Sequence, residues 1–157
     1  MSYSTFVLGT DLRTTILTSA ADTDGRHDFT DNFNAAGSRT PLHAHTRYDE
    51  RFWIIEGTLT VWAGRETVTL RPGDYFAIPM QVPHALQAGP EGVRALQISS
   101  PAGFAELISR VGTPAELATP DTPFDVELFT KLATEMGDVI LGPPGAVPAD
   151  LTDDAAG

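Results

Sequence analysis

The stretch GSRTPLHAHTRYDERFWIIEG, residues 37–57, decides how this chain is read. His43 and His45 stand two positions apart, so on a β-strand both imidazoles leave the same face. Glu50 lies five residues past His45 and would face the other way on an unbroken strand. A turn or bulge at Thr46–Asp49 must therefore restore its facing. A second stretch, GDYFAIPMQVPHALQA at 73–88, adds a third imidazole, His84, 34 residues after Glu50.

Three imidazoles and one carboxylate suit Fe, Ni, Co, Mn, Cu or Zn, and a chain with no cysteine has no thiolate for a softer site. An isolated buried histidine is usually a hydrogen-bonded structural residue. Four such side chains at this spacing are read instead as ligands of one divalent transition metal ion per chain: His43, His45, Glu50 and His84. His27 has no such neighbours and is read as a surface strand residue.

With 157 residues the chain is read as one domain, residues 1–148, followed by a flexible acidic tail at 149–157. Hydrophobic residues make up 41%, yet no apolar run approaches the roughly 18 residues that a membrane helix needs. No charged-then-apolar leader opens the chain. A soluble, cytoplasmic protein is expected, and the lack of cysteine agrees with a reducing compartment. The net charge of −11 is concentrated late, with residues 1–100 at net −3 and 101–157 at net −8. Such a chain repels phosphate backbones and anionic lipid surfaces, which argues against nucleic-acid and membrane partners.

Between about residues 13 and 100 the pattern is one of short strands punctuated by turn residues. Thr14–Ser19 and His27–Asn32 are joined by Asp22–Gly25. Phe52–Ile55, Thr58–Trp62 and Thr67–Leu70 follow, with turns expected at Glu56-Gly57, Ala63-Gly64 and Arg71–Asp74. Tyr75–Ile78, His84–Gln87 and Val93–Ser99 complete the run, the last two separated by an expected loop at Gly89–Gly92. Many short strands with regular Gly/Pro punctuation predict a mainly β antiparallel sandwich or barrel. After Ser100 helices take over, one at about Phe104–Val111 and a second at about Pro123–Met136. In the second, Thr122 is the expected N-cap, Pro123 the first helical position, and Gly137 the stop. Val126, Phe129, Leu132, Ala133 and Met136 form its apolar stripe, read as a packing face against the barrel.

Gly37-x5-His43-x-His45-x4-Glu50-x6-Gly57, then Gly73-x5-Pro79-x4-His84, resembles the two-part signature of the cupin superfamily. The first part matches at every fixed position. The second departs from it, with Gln81 where many cupins carry Gly and Ala88 where Asn is frequent. The resemblance implies a mainly β double-stranded β-helix, a jelly-roll barrel, with short C-terminal helices. The Glu-Arg-Phe-Trp-Ile-Ile-Glu-Gly run with Pro101–Phe104 and Asp138–Gly145 is similar to single-domain quercetin 2,3-dioxygenase-type proteins.

What that resemblance implies is an O₂-dependent dioxygenase acting on a flavonol or similar enolisable aromatic substrate. Four protein ligands leave one or two metal positions open, and Glu50 doubles as ligand and general base. Two other classes stay open: a non-redox metal-dependent cupin such as a polyketide cyclase or isomerase, and a non-catalytic small-molecule binder. Strand parity places Phe52 and Ile54 with Glu50 in the substrate pocket, and Tyr48, Phe33, Phe76 and Phe104 are further candidates. Trp53 and Ile55 then lie on the opposite face. Their apolar side chains need a cover, for which a homodimer is expected.

Overall fold

The structure, a computed structural model, describes residues 3–151. In chain order it comprises β1 (Ser4–Leu8), β2 (Leu12–Thr18), α1 (Ala20–Thr23), β3 (Asp28–Asn34), β4 (Leu42–His45), β5 (Asp49–Ala63), β6 (Glu66–Leu70), β7 (Tyr75–Ile78) and β8 (His84–Ser100). Then come α2 (Phe104–Val111), β9 (Thr113–Pro114), α3 (Val126–Glu135) and β10 (Asp138–Gly142), with 3-10 turns at Ala115–Leu117 and Pro148–Asp150. The fold is a mainly β jelly roll with short C-terminal helices; its hydrogen-bonded sheet does not close on itself.

Its backbone is one long antiparallel ribbon. β5 and β8 pair from Asp49↔Ser100 to Ala63↔His84. The turn expected at Glu56-Gly57 and the loop expected at Gly89–Gly92 are therefore not chain reversals but irregularities inside continuous strands. The register shifts between Ile54 and Glu56 and again between Gly57 and Leu59. Gly57 and Gly92 face each other there with φ of +74° and +79°. A Cβ on Gly57 would lie 2.0 Å from the Gly92 carbonyl oxygen. Only residues without side chains allow this approach, so the glycines bend the ribbon where sequence punctuation suggested it would end.

The ribbon carries the other strands on its edges. β7 pairs with the first half of β5, from Glu50↔Ile78 to Trp53↔Tyr75, and β6 pairs with the second. β3 lies along the far edge of β8, and β2 and β1 extend the sheet from there. Phe52, Ile54, Leu59, Val61, Leu70, Ile78 and Val93 form the main core. β1 and β10 lie outside the expected strand run. β10 pairs antiparallel with β4, setting Asp138 opposite His45 and Ile140 opposite His43.

α2 spans the expected residues. α3 is shorter than expected because its N-cap is Asp125, whose Oδ1 accepts from Leu128 N–H at 2.9 Å. Thr122 Oγ1 instead accepts from Thr119 N–H within the preceding turn. Pro123 thus precedes the helix. The apolar stripe of α3 packs through Leu132 and Ala133 against Leu107 of α2, while Val126 at its start is 58% exposed. The expected tail begins in the 3-10 turn at 148–150, and its residues 152–157 lie outside the described ones. Among the described residues no helix is long and apolar enough to cross a membrane.

Candidate metal centre

Three strands converge on one buried spot. β4 supplies His43 and His45 from the same face, and β8 supplies His84, which is the strand partner of His43. The chain then breaks its strand at Thr46–Tyr48 before β5 begins at Asp49, so Glu50 returns to the histidine side. The ligand nitrogens of the three histidines all lie within 4.8 Å of one another. Glu50 Oε1 is 3.0 Å from His45 Nε2 and its Oε2 is 3.3 Å from His84 Nε2. His45, Glu50 and His84 are all buried.

The opposite edge of each imidazole is occupied. His43 Nδ1 donates to the Pro41 carbonyl at 2.7 Å and His84 Nδ1 to the Val82 carbonyl at 2.9 Å. His45 Nδ1 donates to Asp138 Oδ1 at 2.7 Å. With all three Nδ1 atoms carrying protons, each ring points its Nε2 into the cluster, where the neutral form offers a lone pair. The Nε2 atoms of His45 and His84, and Glu50 Oε2, are buried without a hydrogen-bond partner. Inward lone pairs beside an unpartnered carboxylate oxygen are the donor set a divalent transition metal takes, so the residues fit such an ion.

Electrostatics shows the same tension. Burial and the nearby His84 and His45 push His43 down to about 3, so it stays neutral. Burial would also lower His45, but Glu50 and Asp138 on either side outweigh it and raise it to about 10. Burial raises Glu50, yet His45 and His84 more than reverse this and hold it well below the usual carboxylate range. A proton on His45 Nε2 and a cation in the cluster thus compete for one lone pair. Glu50 Oε1 also accepts from Gln97 Nε2 at 3.0 Å. Gln97 Oε1 in turn accepts from Asn32 Nδ2 at 2.8 Å, a buried relay across three strands.

The cluster opens onto an apolar cavity of about 460 Å³. Tyr48, Phe52 and Phe104 line it, together with His43, His45 and Glu50. Tyr48 is buried and stacks on His45, with centroids 4.4 Å apart and planes 23° from parallel. Burial drives its phenol pKa well up, so it stays protonated. The other candidate wall residues sit elsewhere. Ile54 and Phe76 pack in the main core, and the Phe33 side chain is 45% exposed because β3 turns Asn32, not Phe33, inward. Asn32 and Gln97 also line the cavity and carry no motif that singles them out in the sequence, and Asp138, which opens the Asp138–Gly145 stretch, joins them there. The far wall comes from the C-terminal segment, including Phe124, Phe129 and Ile140.

Residues 32–99 match the Cupin domain family. The chain carries a cupin domain. That match spans the three histidines and Glu50. Quercetin 2,3-dioxygenase of Bacillus subtilis (strain 168) is 25% identical over 101 residues, 64% of this chain and 30% of that protein. The enzyme of the same name from Aspergillus japonicus is 32% identical over 87 residues, 52% of this chain and 25% of that protein. The cupin chain thus spans about a quarter to a third of the length of these curated relatives. A solved RmlC-like cupin from Shewanella frigidimarina NCIMB 400 superimposes with a TM-score of 0.58 at 22% identity, covering 67% of this chain and 89% of that one.

Proposed function

We propose that this cupin is a metal-dependent oxidoreductase, an O₂-dependent dioxygenase that cleaves a flavonol (quercetin-like) or similar enolisable aromatic substrate. The observation that carries the reading is the position of Glu50: a buried carboxylate with one unpartnered oxygen, set against inward imidazoles where they meet an apolar cavity. The names of both curated relatives support it. The cavity volume falls within the roughly 300–1,000 Å³ of sites that take small organic ligands.

The chain's own residues define the steps. The apolar wall, with Phe52 and Phe104, displaces water from a flat aromatic ligand and orients it edge-on to the cluster. Glu50, ionised and fixed by Gln97, takes the proton of a substrate hydroxyl. The electron pair left on the substrate oxygen spreads into the enolised ring. A metal ion held by His43, His45 and His84, with Glu50 as fourth ligand, would supply Lewis acidity and, if redox-active, an electron path to O₂.

The same reading includes a homodimer. On the outer face Trp53 and Tyr75 are cross-strand partners, 48% and 55% exposed, with Ile98 nearby at 37%. A second copy across this row would cover them.

The test is O₂ uptake with quercetin by protein loaded in turn with Fe, Ni, Co and Mn. Uptake with bleaching of the flavonol's visible band is the expected result, and Glu50→Gln should keep part of its metal while losing at least about a hundredfold in rate. No uptake across the metal series overturns the dioxygenase reading. Turnover that persists without O₂ and with Zn would assign the site to non-redox chemistry.

A further inference from the structure

The C-terminal segment is hydrogen-bonded to a histidine of the cluster through Asp138. Asp138, the first residue of β10, is buried and sits opposite His45 in the antiparallel register. Its Oδ1 accepts a hydrogen bond from His45 Nδ1–H at 2.7 Å across 93 residues of sequence. The other two histidines donate their Nδ1–H groups to carbonyls two residues earlier on their own chain segments, so their orientation is set locally. His45 alone depends on a remote carboxylate. The join at this point is tight. Gly137 has φ of +96°, and a Cβ there would lie 2.7 Å from Arg47 Nε and 2.8 Å from Thr46 Oγ1. Thr46 Oγ1 donates to the Gly137 carbonyl. The residues just after His45 are therefore clamped to those just before Asp138.

The same segment walls the cavity, with Phe129 on α3 and Ile140 on β10. From this we infer that Asp138 is a positioning residue for His45, and that through it metal binding and docking of the β10 segment are coupled. Resting on the metal-site reading but not on any reaction, the inference has a simple physical content. Docked, β10 holds His45 in the Nδ1–H tautomer with Nε2 inward and raises its basicity. Undocked, His45 loses that partner and its ring is free to turn. Whatever docking adds to metal affinity, metal binding must return to docking, because the linkage is reciprocal.

The experiment uses the full chain and Co²⁺ or Zn²⁺ alone. Calorimetric titration gives the metal dissociation constant for the wild type, Asp138→Asn and Asp138→Ala, and hydrogen exchange follows the β10 amides with and without metal. Asp138→Ala should weaken Co²⁺ binding by about 10- to 100-fold. Asp138→Asn, whose amide oxygen still accepts from Nδ1, should fall between that and the wild type and distort the Co²⁺ absorption bands less. Metal should slow exchange at Val139–Leu141 in the wild type, and this slowing should largely vanish in Asp138→Ala. If folded Asp138→Ala binds Co²⁺ within twofold of the wild type, Asp138 is a packing residue only and the inference fails. Equal metal protection of β10 in both proteins would overturn the coupling. Should even the wild type bind neither ion, the metal-site reading itself falls, an outcome distinct from either of these.

Discussion

Asp28 offers the sharpest test of how this cavity is built. It is 1% exposed, and its Oδ2 accepts from Gly103 N–H at 2.8 Å and Ala105 N–H at 3.0 Å. Through these bonds β3 caps the first turn of α2, the helix that lends Phe104, Leu107 and Ile108 to the cavity wall. Asp28→Ala strands both donors in the interior at about 1–3 kcal/mol each. Part of that is offset, since the carboxylate no longer has to be buried. Burial raises its pKa by more than its donors lower it. The net cost should be about 2–4 kcal/mol. Asp28→Asn keeps one oxygen for the two N–H groups and buries no charge. Its change should stay within about 1 kcal/mol. The sign of the pH effect follows. With the folded pKa above the unfolded value near 3.8, the native state holds this proton more tightly. The stability it contributes is complete below the unfolded value and disappears as pH rises through the folded one, and Asp28→Asn should flatten that decline. Urea titrations followed by circular dichroism at several pH values measure both effects. Asp28→Ala within about 1 kcal/mol of the wild type would refute the capping argument.

Gly57→Ala should cost at least about 2–3 kcal/mol, because the added carbon meets the Gly92 carbonyl oxygen at 2.0 Å in a positive-φ conformation; a melting temperature unchanged within about 2 °C would contradict it. Trp53→Glu should turn the proposed dimer into a monomer in light scattering while leaving metal content intact. A wild type that is already monomeric at high concentration removes the dimer from the reading.

How much of this was legible follows from which interactions are local. The period of two put His43 and His45 on one face, and the odd spacing to Glu50 demanded the break seen at Thr46–Tyr48. Asp138 was out of reach, because its place opposite His45 is a register between β4 and β10 and not a spacing. The hint available was Val139-Ile140-Leu141, a β-prone apolar run set off by Gly137, with one acid at its start. Gly57 and Gly92 misled for the same reason. A glycine that turns the chain and a glycine that lets two backbones touch look identical until their partners are known.

The exchange of Phe33 for Asn32 on the cavity wall follows from the chemistry of Glu50. Hydrophobicity ranks phenylalanine above asparagine for an inward place, and in an apolar barrel that ranking would hold. A buried carboxylate changes it, because its oxygens require donors from the strands beside it. Gln97 supplies one, and its own oxygen must then be satisfied by Asn32, which also donates to Thr30 Oγ1. The parity that turns Asn32 inward on β3 necessarily turns Phe33 outward. Once Glu50 is placed inside the jelly roll, a polar stripe of Gln97, Asn32 and Thr30 follows along β8 and β3, and the aromatic side chains on the cavity wall come from β5, α2, the turn at Tyr48, and α3 with the residues just before it.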